Sequence, residues 1–99
     1  MKTYRNKALL QAAKEAPCCM ICHAPNVGQV VACHSNAIRH GKGTGHKAHD
    51  LPAYLCDRCH AEVDGRAGDW TRAEKDLRFF EAVYESVLWL LSTEKLRLC

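Results

Sequence analysis

The sequence predicts a small α+β fold. Three observations carry that expectation. Two C-x2-C-H motifs occur, in "CMICH" (19–23) and "CDRCH" (56–60). Short apolar segments, the first rich in β-branched residues, lie between them on either side of a glycine-rich stretch, and helical periodicity runs at both ends of the chain. The 99 residues suit one small domain, with 18–66 holding the motifs and 71–93 a C-terminal helix. So short a chain buries limited apolar surface, and a bound metal or an oligomer contact would help it fold.

The elements follow in order. Residues 6–16, "NKALLQAAKEA", predict a helix capped by Asn6 and stopped by Pro17, with Ala8, Leu9, Ala12, Ala13 and Ala16 at helical spacing. "VGQVVAC" (27–33) reads as a strand, or as a hairpin turning near Gly28. Residues 36–50 are a loop in which Gly41, Gly43 and Gly45 sit among Arg39, His40, Lys42, His46 and Lys47. "LPAYL" (51–55) is a second short strand, and a helix runs from near Cys56 to Gly65. Thr71 and Glu74 form a capping box for the last helix, whose stripe is Leu77, Phe80, Tyr84, Val87, Leu88 and Leu91. That stripe is expected to pack on the domain or on another copy of the chain, so a homodimer is compatible with it.

With 47% apolar and 25% charged residues the chain is expected to fold rather than remain disordered. A net charge of +3 permits a nucleic-acid partner without demanding one. No apolar run approaches the ~18 residues of a membrane helix. The N-terminus also lacks a signal-type apolar segment, so the expected compartment is a reducing cytoplasm, with no membrane association. In that compartment the seven cysteines (18, 19, 22, 33, 56, 59, 99) favour a metal over disulfides, and their odd number cannot pair completely.

C-x-x-C-H can attach haem, carry a redox disulfide or supply half a zinc site. Haem attachment needs export and a second axial ligand, and a thioredoxin-like motif needs a βαβ setting that the chain lacks. Zinc explains both motifs together. Cys19, Cys22, Cys56 and Cys59 provide four thiolates, and the 33 residues between the pairs (23–55) let two knuckles from distant parts of the fold clip together. Cys18 can replace Cys19, although the two-residue gap favours Cys19. A rival set, Cys19, Cys22, His34 and His40, leaves Cys56 and Cys59 idle and puts glycines where a finger needs its helix. Cys33 and Cys99 are most simply free thiols.

A second polar set surrounds the first. His60 follows a zinc cysteine, and Asp64 lies one helical turn on, at a spacing that suits either a surface pair or chelation of one divalent ion. His34 ends the first strand and Asp50 closes the glycine loop. A strand-end histidine facing a metal-bearing helix has the arrangement of a general base beside a metal-bound phosphate.

The order C-x2-C, strand-end His, glycine-rich loop, C-x2-C-H and a polar residue four positions on resembles the zinc-containing HNH endonucleases. More narrowly, "HSN..R.GKG.G.KA.D" running into "LC..CH.E.D" looks like the YbcO-like family of small phage and prophage nuclease proteins, neighbours of the phage recombination endonuclease Rap. The resemblance covers about residues 18–66. It implies a ββα-metal (HNH/treble-clef-like) core stabilised by zinc, flanked here by an N-terminal helix and a long C-terminal helix. It further implies a DNA endonuclease in the cytoplasm of a bacterial host, acting on branched or recombination-intermediate DNA.

On that resemblance His34 matches the general base, and His60 matches the metal-binding residue after the last zinc cysteine. Asp64 takes the place of the motif's final residue. Asp50 fills the middle position or orients His34, and Asn36 positions His34 or a phosphate. The chain departs from the wider superfamily at Cys33, where an Asp or His often binds metal; Asp50 is the carboxylate available instead. Mg²⁺ suits carboxylate and water, and a histidine ligand admits Mn²⁺, Ni²⁺ or Zn²⁺. Arg39, Lys42 and Lys47 would meet the DNA backbone. A non-catalytic zinc module that binds DNA or protein would carry the same motifs.

Overall fold

The computed structural model describes residues 5–34 and 51–96. In chain order they form helix α1 (Lys7–Gln11) with a 3-10 turn behind it (Ala12–Glu15), strand β1 (Val30–Cys33), strand β2 (Ala53–Cys56), helix α2 (Asp57–Val63) and helix α3 (Arg72–Ser92). The architecture is α+β: a two-stranded antiparallel sheet with helices packed against it. Among the described residues no helix is long and apolar enough to cross a membrane.

Local chemistry sets most boundaries. The Asn6 side chain accepts from the Ala8 N–H at 3.1 Å and starts α1. The expected helix over 6–16 tightens into a 3-10 turn after Gln11. Its last carbonyls find a donor elsewhere: the Asn26 amide donates to Ala13 and Ala16 carbonyls at 3.1 and 2.8 Å. The chain turns at Gly28 (φ 106°), so β1 begins at Val30 rather than Val27. Helix α2 ends in a Schellman motif: Gly65 adopts φ 77°, its N–H reaches the Glu62 carbonyl, and the Arg66 N–H reaches that of Ala61. Thr71 and Glu74 form the reciprocal capping box of α3, at 3.1 and 3.2 Å.

β2 is the centre of the molecule. Ala53, Tyr54, Leu55 and Cys56 are all buried, and Val30 pairs with Cys56 and Cys33 with Ala53 across the sheet. Tyr54 turns its main-chain groups away from β1. Its N–H donates to Ser86 Oγ of α3 at 3.1 Å, and its carbonyl accepts from the Met20 N–H of the first cysteine knuckle at 2.9 Å. Its hydroxyl donates to the Leu9 carbonyl of α1, and its ring meets Trp89 edge-on at 5.6 Å. One strand residue therefore ties together both terminal helices and the knuckle.

Helix α3 corrects the sequence expectation. The stripe from Leu77 to Leu91 is not the face that packs on the domain: Leu77 is 62% exposed and Tyr84 67%, with Phe80 and Leu88 also exposed. The buried face is Phe79, Ala82, Ser86 and Leu90, on the opposite side. Small residues win there because Ala82 and Ser86 let the helix backbone approach β2, where Ser86 takes the Tyr54 N–H and donates to the Ala82 carbonyl at 2.6 Å. A side chain without a hydroxyl at 86 would leave that buried N–H unpaired.

Ser86→Ala removes the acceptor for a buried donor and is expected to destabilise the protein by about 1–3 kcal/mol. Ser92→Ala, on an exposed turn of the same helix, should change stability by less than about 0.5 kcal/mol. Denaturant unfolding of both variants beside the wild type measures the difference; equal midpoints would remove Ser86 from this role.

Candidate metal centre and its flanking polar residues

Two knuckles converge from different parts of the fold. The first is closed by a bridge between Cys18 and Pro25, by Cys19 N–H to the Ala24 carbonyl at 3.0 Å and by His23 N–H to the Cys19 carbonyl at 2.9 Å. The turn requires a positive φ of 62° at His23. The second knuckle is the junction of β2 and α2, with Cys56 as the helix N-cap and Cys59 in its first turn. The Met20 to Tyr54 hydrogen bond fixes one knuckle against the strand that feeds the other.

The result is a four-sulfur cluster. The Sγ atoms of Cys19, Cys22, Cys56 and Cys59 all lie within 4.8 Å of one another. Cys22 and Cys56 Sγ are 3.9 Å apart. A tetrahedral zinc with bonds of about 2.3 Å sets its sulfurs about 3.8 Å apart, so the cluster has the size of a zinc tetrahedron. Cys19, Cys56 and Cys59 are buried and Cys22 is exposed. Cys19, not Cys18, contributes, and the described cysteines form no disulfide. Four cysteines this close can bind a metal such as zinc.

The sulfurs do not ionise alike. Burial opposes ionisation of Cys19, but N–H groups of Cys56, Cys22 and Ile21 directed at its sulfur bring its pKa down to about 7. The Ile21 N–H lies 3.4 Å from that sulfur. Burial pushes Cys56 and Cys59 up, and for Cys59 the neighbouring thiols of Cys56 and Cys19 push further. One thiolate is easily held here; four are stable together only around a positive charge.

Cys33 stands apart. Buried at the end of β1, it is pushed up to about 12 by burial first and by the charge of Asp64 second, so it is a neutral thiol. That coupling also locates α2, which packs against both strands. The carboxylate of Asp64 lies within electrostatic reach of the end of β1, where His34 follows directly. His34 is partly buried, with a buried Nε2.

His60 and Asp64 face each other across one turn of α2, Nε2 to Oδ2 at 3.0 Å, both about one-third exposed or less. Arg66 joins them, its guanidinium 3.4 Å from the same Asp64 oxygen. Spacing along the sequence does not single out Arg66, because it reaches back only through the Gly65 turn. Among the described residues the four cysteines are the one group of three or more Cys, His, Asp or Glu donors close enough to share an ion. His60 and Asp64 thus offer two donors, and His34 does not complete a third with them. Asn36, Arg39, His40, Lys42, Lys47 and Asp50 lie outside the described residues.

Cys59→Ser is expected to lose stoichiometric zinc and much of the folded circular-dichroism signal, whereas Cys18→Ser and Cys33→Ala keep one zinc per chain. Elemental analysis of the purified proteins distinguishes them; zinc retained by Cys59→Ser would displace it from the ligand set. Zinc should also be released as pH falls, because protons compete with the ion for thiolates while raising the pH favours the bound form. A metallochromic dye follows that release. Compared with known proteins, the chain matches no family model, no curated protein and no solved structure.

Proposed function

We propose that the protein is a metal-dependent DNA endonuclease of the HNH type, with a structural zinc at the four cysteines and a divalent ion at His60 and Asp64. The observation that supports this reading most directly is one of order and place. Strand β1, which His34 follows directly, pairs with a strand that turns at a metal cysteine into α2; that helix carries His60 and is capped by Asp64, whose charge is felt at Cys33 at the end of β1.

In this reading His34 acts as the general base, taking a proton from the water that attacks the phosphodiester phosphorus. Its position directly after β1 gives the ring a fixed backbone anchor. His60 and Asp64 supply one imidazole nitrogen and one carboxylate, a donor set that suits Mg²⁺ or Mn²⁺ completed by water and phosphate oxygens. When bound, such an ion supplies Lewis-acid stabilisation of the phosphate and leaving oxygen. Asp50 is the further carboxylate for that site, or orients His34, and Asn36 positions His34 or a phosphate. Arg39, Lys42 and Lys47 bring positive charge to the DNA backbone. Branched DNA of a phage or prophage is the proposed substrate class.

A specific contact favours a second reading, a zinc module that binds DNA or protein without cutting. The Asp64 oxygen that would meet an ion is already engaged by His60 and Arg66.

Cleavage of supercoiled plasmid and of a four-way junction, with Mg²⁺ or Mn²⁺ and without either, tests the choice. The nuclease reading expects ion-dependent cleavage that falls by about 100- to 10,000-fold in His34→Ala, with zinc content and fold retained. DNA binding without cleavage under either ion would establish the module instead.

A further inference from the structure

We propose that the four-cysteine cluster is an oxidation site as well as a metal site. Hydrogen peroxide oxidises Cys22, and Cys56 then closes on it as a disulfide between the two knuckles, with release of the metal. The inference rests on zinc at the four cysteines and is independent of the nuclease reading.

Access separates the four sulfur donors. Cys19 is 0% exposed, Cys59 1% and Cys56 6%, whereas Cys22 is exposed in the turn of the first knuckle. The thiolate is the form of cysteine that reacts with peroxide, and accessibility decides which thiolate is met first. An oxidant in solution therefore reaches this cluster through Cys22.

Geometry selects the partner. Cys22 Sγ lies 3.9 Å from Cys56 Sγ, across the gap between the knuckles. Cys19 Sγ is held within its own turn by the Ile21 N–H at 3.4 Å, and Cys59 sits inside the first turn of α2. The cysteines outside the cluster are placed less well. Cys18 is half-buried beside Cys19 in the chain, and Cys33 stands opposite Ala53 rather than Cys56 in the sheet.

Two displacements complete the reaction. The Cys22 thiolate attacks one peroxide oxygen; an S–O bond forms, the O–O bond breaks, and the departing hydroxide takes a proton from solvent. The Cys56 thiolate attacks the resulting sulfenic sulfur; an S–S bond forms, the S–O bond breaks, and the second hydroxide also leaves as water. The two sulfurs lose two electrons and peroxide becomes two waters. Zinc keeps only the Cys19 and Cys59 thiolates, too few for a closed tetrahedral site, and dissociates. The new bond joins the same two knuckles that the ion joined, in parallel with the Met20 to Tyr54 hydrogen bond. The clip therefore outlasts the metal, and a thiol reductant with zinc restores the original site.

Peroxide treatment of the full zinc-loaded chain tests this, with a metallochromic dye recording zinc and non-reducing peptide mapping locating the disulfide. The expected result is loss of the bound zinc, a Cys22–Cys56 disulfide and a retained helical signal, all reversed by dithiothreitol with zinc. Cys22→His keeps a zinc donor at the exposed position and should slow release by about tenfold or more. A variant combining Cys18→Ser, Cys33→Ala and Cys99→Ser should release zinc as the wild type does. A disulfide within either pair, Cys19 to Cys22 or Cys56 to Cys59, overturns the cross-link between knuckles. Zinc that stays bound under peroxide, or that leaves Cys22→His at the wild-type rate, overturns Cys22 as the point of attack. A chain that binds no zinc at all fails the zinc reading instead, and mapping of that peroxide-treated chain still decides whether Cys22 pairs with Cys56.

Discussion

The structure depends on the outer edge of β2 at Tyr54. Among the described residues the sheet has two strands, so each pairs with the other along one edge only, and β2 is buried along its whole length. Its free main-chain groups therefore need partners from outside the sheet, since water cannot supply them. Ser86 provides the acceptor and the Met20 N–H the donor. Those two hydrogen bonds dock the long helix on one side and the first cysteine knuckle on the other. The position of Cys19 and Cys22 relative to Cys56 and Cys59 thus follows from how one strand residue is satisfied. The cysteine cluster and the hydrogen-bonded edge support each other: the edge brings the knuckles together, and an ion bound between them would lock the edge in place.

Sharing one strand between core and site has consequences for the rest of the molecule. β2 ends at Cys56, which is also the N-cap of α2, so the direction of that helix is set within one residue of the metal cluster. Helix α2 packs against both strands. The charge of Asp64 is felt at Cys33, and His34 is the next residue. Cysteine cluster, sheet and helix form one unit that holds the polar side chains of α2 in place.

Much of this was legible beforehand where the signal is local. The Asn6 cap, the Gly65 stop and the Thr71–Glu74 capping box each need only a few neighbouring residues, and each occurs at its expected place. The cysteine pairs were legible because thiolate chemistry restricts spacing; the two-residue gap favoured Cys19 over Cys18, and the cluster decided for Cys19. The buried face of α3 was not. Periodicity detects apolar residues, and on this helix the larger ones form the exposed row while the core side is built from Ala82 and Ser86 beside Phe79 and Leu90.

The sequence by itself determined the element types, the caps and the identity of the four sulfur donors, because those follow from backbone propensity, capping chemistry and ligand spacing over short stretches. Only the tertiary structure decided which side of α3 is buried, that Arg66 joins the His60–Asp64 pair, and that Cys33 is a buried neutral thiol within the field of Asp64. Arg66 reaches Asp64 through the local Gly65 turn; the other two have a common physical reason. Each depends on how closely two distant segments approach, and that distance is set by the hydrogen-bonding demand of Tyr54 and the small side chains that meet it, which no local pattern records.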